Sequence, residues 1–374
     1  MKPLKPLKWE PTLYQRLAQL IQDHAQPQAS DPSQRAYMVF DFDETCITGD
    51  IEDHFMTYLV DHFAFKLDPD QLRQVLTCQP EILNRQLPGQ AAILQDLVDD
   101  LLISYQEVWQ QKNKGQAIPQ PQDPHYQDLA AKLTFYYFTA MRHMTFAPNQ
   151  WISTYFFTGF TQDDMAHHVQ VMLKEPRYQT RQIRHWTSLP DPTGLIGPIE
   201  VSYQAGMVFC EEMINLFQAL ISHGIDPYIV SASPLPLVEA VVARSPLSAI
   251  DKSQIYAMQT QFNPAGQILN QLDPTAHTSH GPGKSQVIRD WISPRHQGKS
   301  PLAIFGDSMG DYDMLTQFDQ TTTRVLFNRH LNNPTQDLAQ EAQLTYGQAD
   351  AKFFLQGKDY RTGQFLNQIH SIFA

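Results

Sequence analysis

Tyr37-Met38-Val39-Phe40-Asp41-Phe42-Asp43-Glu44-Thr45 is the stretch on which the reading of this chain turns. Four apolar residues, too few for a helix and bounded by polar neighbours, make a short buried strand. Two carboxylates, Asp41 and Asp43, follow at its end. In an extended segment residues i and i+2 project to the same side.

The same pattern recurs downstream. Tyr228-Ile229-Val230 reads as a second buried strand and is followed by Ser231-Ala232-Ser233. Leu302-Ala303-Ile304-Phe305 reads as a third, followed by Gly306-Asp307-Ser308-Met309-Gly310-Asp311-Tyr312-Asp313. Between these two lies Gly281-Pro282-Gly283-Lys284-Ser285, leading into a helical pattern. In open α/β sheets ligands bind outside the carboxyl ends of the strands, and here those ends carry acids, hydroxyls and one lysine. Charged groups there are costly unless they are paired or hold a metal. A hard cation with oxygen ligands, Mg²⁺, is therefore the expected cofactor.

Simpler readings fail on spacing. Counting from Asp41, a calcium loop would need an acid and a glycine where Thr45 and Cys46 stand, although Glu52 falls at position 12. A Walker A loop ending at Gly283-Lys284-Ser285 would need its first glycine at Thr278. The acidic run from Gly306 to Asp313 taken singly is an ordinary solvated loop. Four such segments in order, three of them directly after strands, are what set the simpler reading aside.

Working outward, Leu13, Leu17, Leu20 and Ile21 form a helical stripe before the first strand. From about Gly49 to Pro198 the texture is helical, with patterns over Ala91 to Trp109 and Leu129 to Met141, a Gln/Pro-rich loop from Gln110 to His125, and no convincing strand. After Pro198 the rhythm alternates again. The stripe Phe209, Met213, Leu216, Phe217, Leu220 ends near Gly224, a C′ position. Leu237 to Val242 reads as a helix and Val325-Leu326-Phe327 as a last strand. Alternating strands and helices predict an α/β fold, a doubly wound parallel sheet with helices on both faces. The helical block is then inserted after the first strand, which divides the chain into residues 1–49 with 199–374 and an insertion of 50–198.

Composition bounds the partners. The 374 residues are 42% hydrophobic and 11% aromatic, enough for a sizeable core, and a net charge of −12 opposes general binding to nucleic acid or an anionic membrane. Cys46, Cys78 and Cys210 are too far apart for a zinc site or a disulfide framework and fit a reducing compartment. The early lysines and prolines break any secretory run, and no window of 18 apolar residues exists. A cytoplasmic protein acting on a small partner is expected; its oligomeric state is not legible.

With Asp41-Phe42-Asp43-Glu44-Thr45, Ser231, Lys284, and Gly306-Asp307 with Asp311 in place, the chain resembles the phosphatase branch of the haloacid dehalogenase superfamily. The resemblance implies a Rossmann-like core with an inserted α-helical cap domain and Mg²⁺-dependent hydrolysis of a small phosphorylated metabolite. It makes Asp41 the nucleophile that forms an aspartyl-phosphate and Asp43 the acid and base. Asp41, Asp43 (through its carbonyl), Asp307 and Asp311 would hold the metal, Ser231 with nearby N–H groups the phosphoryl oxygens, and Lys284 would offset the crowded negative charge. Each role makes chemical sense: a covalent intermediate divides one hard displacement into two, and Asp43 can protonate the leaving alkoxide and then deprotonate water. A phosphotransferase or mutase shares this chemistry, and a phosphate-binding protein without turnover remains the alternative of another class. Phosphonatases of the superfamily need a cap lysine that forms an imine; Lys132 and Lys174 are present but nothing marks them.

Within the superfamily the chain is most similar to bacterial phosphorylcholine phosphatases and less closely to phosphoserine phosphatases. The likeness lies in Asp50-Ile51-Glu52-Asp53, Phe135-Tyr136-Tyr137-Phe138, Trp151 through Thr161, and Asn328-Arg329. Phosphorylcholine phosphatases bind a quaternary ammonium, for which aromatic faces and acids are suited. Glu52, Asp53, Tyr136, Tyr137 and Trp151, with Thr45, are the substrate-binding candidates, although aromatics at helical spacing are more often core. Arg142 and His143 stand where the relatives carry acids, which opposes choline and leaves an anionic or neutral alcohol moiety as the other reading.

Overall fold

Tyr37 and Val39 point to one side of their strand and Met38 and Phe40 to the other, and each pair joins a different buried cluster. That split is what a sheet covered on both faces requires. The structure, a computed structural model, describes residues 1–28, 31–118, 123–143, 151–188, 196–329 and 335–373.

Helix α1 (Pro11–Asp23) opens the chain, its first turn capped by the Glu10 carboxylate accepting from the Leu13 amide at 2.8 Å. Strand β1 (Tyr37–Phe40) follows. The insertion then runs through α2 (Ile51–His62), α3 (Pro69–Leu76), α4 (Leu94–Asn113), α5 (Pro124–Phe135), α6 (Ile152–Tyr155) and α7 (Gln162–Met172). It closes with β2 (Gln182–Thr187) and β3 (Glu200–Ala205). The core resumes as α8 (Glu211–Ser222), β4 (Asp226–Pro234), α9 (Leu235–Arg244), β5 (Ile255–Met258), β6 (Thr260–Phe262), β7 (Ile268–Leu272) and α10 (Pro282–Val287). It ends with β8 (Ala303–Gly306), α11 (Tyr312–Thr316), β9 (Thr323–Phe327), α12 (Thr335–Leu344), β10 (Phe353–Asp359) and β11 (Gln364–Leu366).

Seven strands form one sheet in the order β11-β10-β9-β8-β1-β4-β5, parallel except for the last pairing of β10 with β11. The chain leaves β1 toward β4 and β5, then crosses back to β8 and runs outward to β10. β1 and β8 are therefore neighbours at a topological switch, with Phe40 opposite Phe305, and the carboxyl ends of β1, β4 and β8 open on one crevice. This is the α/β, doubly wound core with an inserted helical cap that the sequence predicts. Among the described residues no helix is long and apolar enough to cross a membrane.

Three features depart from the sequence reading. The insertion carries a strand, β2, paired antiparallel with β3 from Gln182 with Ala205 to Thr187 with Glu200, so a two-stranded sheet spans the expected boundary at 198/199. A second hairpin, β6–β7, leaves the core after β5. Two strands, β10 and β11, extend the sheet beyond Val325-Leu326-Phe327.

Candidate active site

Asp41 sits immediately past β1, its amide bonded to the Phe305 carbonyl of β8 at 2.9 Å and its own carbonyl accepting from the Cys46 thiol at 3.0 Å. The chain then turns sharply. The Cys46 amide returns to the Phe42 carbonyl at 2.8 Å, and Glu44 takes a left-handed backbone with φ 59°. That turn delivers Asp43 to the first turn of α2, where its Oδ1 accepts from the Ile51 amide at 2.8 Å. Its Oδ2 accepts from Ser233 Oγ at 2.7 Å and from Ser231 Oγ at 3.5 Å, both at the end of β4.

Lys284 arrives from the first turn of α10. Its ammonium bridges Asp41 Oδ1 and Asp311 Oδ1, the latter at 2.6 Å. Delivery depends on close backbone approach, because a Cβ on Gly283 would lie 1.7 Å from the Thr278 carbonyl oxygen. Beyond β8, Asp311 Oδ2 accepts from the amides of Asp307 and Ser308 at 2.9 and 3.0 Å, which closes the loop as a tight acidic turn. Asp307 itself is paired with Arg329.

Asp41, Asp307 and Asp311 each offer a carboxylate oxygen within 4.8 Å of the others, and all three are buried. Burial, with the neighbouring Asp311 charge and against the pull of Lys284, pushes the Asp41 carboxyl up to about 6. Burial likewise raises Asp307 well above the usual carboxylate range, although Arg329 opposes it. Burial resists the ionisation of Asp311 too, but Lys284 and the two loop amides outweigh it and hold that carboxyl low. Lys284 rises above its ordinary value because the charges of Asp311 and Asp41 outweigh its desolvation. A compact, oxygen-only set with more negative charge than Lys284 and Arg329 can match fits a hard divalent cation. Asp43 behaves differently. Burial first, then the charges of Asp50 and Asp41, push its carboxyl well above the usual range, despite the bonds from Ile51 and Ser233.

These groups open on a cavity of about 1150 Å³ between core and insertion, which Asp41, Asp43, Lys284 and Asp307 line. Of the cap candidates, Glu52, Asp53, Tyr137 and Trp151 line it as well. Glu52 accepts from Ser153 and Thr154 hydroxyls at about 3.1 Å, and burial with the Asp50 charge holds its carboxyl well above its ordinary value. Trp151 lies against His280, ring centroids 5.1 Å apart.

Four candidates are not on the cavity wall: Ser231 and Asp311, both fully buried, and Tyr136 and Thr45. Tyr136 is fully buried with its hydroxyl toward the Leu76 carbonyl at 3.5 Å. Successive helical residues point about 100° apart, so Tyr136 and Tyr137 do not share a face. Thr45 is buried beneath the turn, its hydroxyl without a partner among the described residues. Arg142 does reach the cavity, but its charge is matched: it pairs with Asp53 at 2.6 Å and lies 5.4 Å over the Phe138 ring. Lys132 is buried inside the insertion, held by Asp128 at 2.8 Å and Asp100 at 3.6 Å, and Lys174 is exposed.

Sequence reasoning did not single out His54, Arg181, Tyr360 or Phe373 as site residues, and all four line the cavity. Arg181 donates to the carbonyls of Tyr360 and Gly206 at 3.2 and 3.1 Å, and Phe373 stacks on Tyr360 with centroids 5.0 Å apart. They come from α2, from the residue before β2 and from the chain after β10, at positions with no chemical motif to mark them.

No family model matches the chain, and no curated protein does. Among solved structures, a conserved protein of unknown function from Anaerococcus prevotii DSM 20548 has a TM-score of 0.88 at 23% identity, over 100% of this chain and 99% of that one. The two share a fold from end to end. A phosphoserine phosphohydrolase-like protein from Francisella tularensis subsp. tularensis SCHU S4 covers 82% of this chain and 98% of its own at 12% identity and TM-score 0.33. A substrate-bound phosphoserine phosphatase covers 79% and 86% at 8% identity and TM-score 0.35. Both superpose too loosely to carry an argument.

Proposed function

We propose that the chain is a Mg²⁺-dependent phosphomonoesterase of the haloacid dehalogenase type, with residues 50–198 as a cap over the site. The observation that carries this reading is the division of labour between two carboxyls two residues apart. Asp41 is bridged to Lys284 within the acidic trio, while Asp43 sits among hydroxyls and the first amide of α2, its carboxyl pushed well above the usual range by burial.

Asp41, Asp307 and Asp311, with the Asp43 carbonyl, would hold the ion, which when bound supplies charge neutralisation for an anionic phosphoryl group. Asp41 attacks phosphorus and forms an aspartyl-phosphate, and Lys284 and Ser231 bind the phosphoryl oxygens. Asp43, whose carboxyl burial pushes well above the usual range, gives its proton to the leaving alkoxide; as a carboxylate it then takes a proton from the attacking water.

For the leaving group we favour a phosphorylcholine-like amino alcohol. Arg142 is neutralised by Asp53, and among the described residues Asp50 and Glu52 face the cavity beside Tyr137 and Trp151 without an ion pair of their own. A ligand cation would relieve both acids.

Hydrolysis of p-nitrophenyl phosphate with and without Mg²⁺ tests the reaction class. Metal-dependent turnover that Asp41→Asn abolishes is expected, and wild-type rates in that variant would overturn the assignment. A panel of phosphorylcholine, phosphoethanolamine, phosphoserine and sugar phosphates ranks the leaving groups. The amino alcohol esters should give the highest kcat/KM, and a preference for sugar phosphates would remove the cation reading.

A further inference from the structure

The last four residues of β10, Gln356-Gly357-Lys358-Asp359, are polar, yet the whole strand is buried. Lys358 is the costly member. Its side chain is fully buried, with Nζ 4.1 Å from the Phe327 ring centroid and 5.3 Å from that of Phe365. Among the described residues it has no carboxylate within ion-pair reach. It donates instead to two main-chain carbonyls, Glu44 O at 2.5 Å and Ile47 O at 3.4 Å. The charged or titratable groups facing it are Glu44, Asp307, Arg329 and the Cys210 thiol, and burial lowers its own ammonium below the ordinary value.

A buried ammonium without a carboxylate weakens a fold, and an apolar side chain of the same length would serve packing better. The position is explained by what the two carbonyls belong to. They lie in the turn that starts one residue after Asp43 and includes the left-handed Glu44. That turn is otherwise held by short-range amide bonds, Glu44 N to Gly49 O at 3.0 Å and Cys46 N to Phe42 O at 2.8 Å, and by Thr48 N to Val208 O at 2.9 Å. Lys358 reaches it from a strand three places away in the sheet order.

We infer that Lys358 is a positioning residue: its ammonium clamps the Glu44 and Ile47 carbonyls and so fixes the turn that aims Asp41 and Asp43 into the cavity. It touches neither substrate nor reacting atoms. Its effect on turnover rests on the phosphatase reading above; its effect on the turn does not.

The test is Lys358→Met, which keeps length and apolar contact with Phe327 and Phe365. Backbone-amide hydrogen exchange is the first readout. Amides of residues 44–48 should exchange roughly 10-fold faster while β1 and β8 keep their protection. The melting temperature should be unchanged or higher, because a buried unpaired charge has gone. Under the same conditions kcat for p-nitrophenyl phosphate should fall about 10-fold or more with KM within about 2-fold, the signature of misplaced reacting groups. Unchanged exchange at residues 44–48 in folded Lys358→Met overturns the inference, and so does a loosened turn with wild-type kcat. If that variant does not fold, Lys358→Leu, which also removes the donor, takes its place, and wild-type exchange there overturns the inference equally. A wild-type protein without turnover would remove the phosphatase reading and leave the exchange result to decide the clamp.

Discussion

Asp43 accepts hydrogen bonds from the Ile51 amide and the Ser233 hydroxyl, yet its carboxyl stays well above the ordinary range because burial and the Asp50 and Asp41 charges outweigh them. A carboxyl raised in this way matters only where the departing oxygen needs a proton. Asp43→Asn should therefore slow release of an alkyl alcohol about 10²–10⁴-fold in a single turnover. It should slow release of p-nitrophenolate, which leaves as an anion, far less. Equal losses for the two esters would deny Asp43 the acid role. Asp41, Asp43 and Asp307 were legible because acids just beyond short apolar runs cost stability unless a bound ion or ligand makes use of them, and Lys284 because Gly281-Pro282-Gly283-Lys284-Ser285 falls between two such segments. Lys358 was not, because Gln356-Gly357-Lys358-Asp359 has the composition of an exposed strand end, and only the chain packed around it reverses that. Thr45 and Tyr136 were misplaced for a related reason: adjacency to a motif says nothing of which way a side chain points.

At the scale of elements, α10 shows how a short helix is placed to one purpose. Gly281, at its N-cap, has φ 54° and ψ −127°, a conformation open to glycine, and Gly283 passes beneath the Thr278 carbonyl with no room for a Cβ. One residue later Lys284 meets Asp41 and Asp311. Gly283→Ala must displace either Thr278 or α10. An unfolding free-energy loss of about 3 kcal/mol by urea titration is expected, together with a fall in kcat as Lys284 withdraws. Wild-type stability and rate would show that the helix start has more freedom than this packing allows. The sequence announced α10 through its glycines and lysine, but the hairpins were silent. In β2, burial alternates only weakly, because the inward-facing side chains, Arg184 paired with Asp61 and Trp186 against Tyr126, are themselves only half-buried. The strand therefore lacks the contrast on which period-two patterning depends.

For the whole molecule the open question is whether the insertion is a separately stable unit. One continuous cluster of buried side chains runs from Leu13 and Leu17 of α1 through Phe217 and Val241 of the core into Phe55, Phe157 and Met165 of the insertion. Helix α7 packs against α9. Hairpin β6–β7 reaches across as well: the Gly159 amide bonds to the Ile268 carbonyl and the Ile268 amide to the Phe160 carbonyl, each at 2.9 Å. The Arg181 guanidinium ties the start of β2 to the Tyr360 carbonyl after β10. Unfolding the insertion alone would expose the underside of α9 and orphan those backbone groups, so its loss should destabilise the core beside it. Scanning calorimetry is expected to give a single transition with van't Hoff and calorimetric enthalpies in agreement. Two resolved transitions would mean that the shared cluster is too weakly coupled to bind the units together. Under the proposed function the same coupling bears on catalysis, since Asp41 and Asp43 stand on the core while Glu52 and Trp151 stand on the insertion. A cap fastened by a helix pair and a bridging hairpin keeps the two sets of side chains in register before any substrate arrives, and substrate selection then rests on the shape and charge of a cavity already formed.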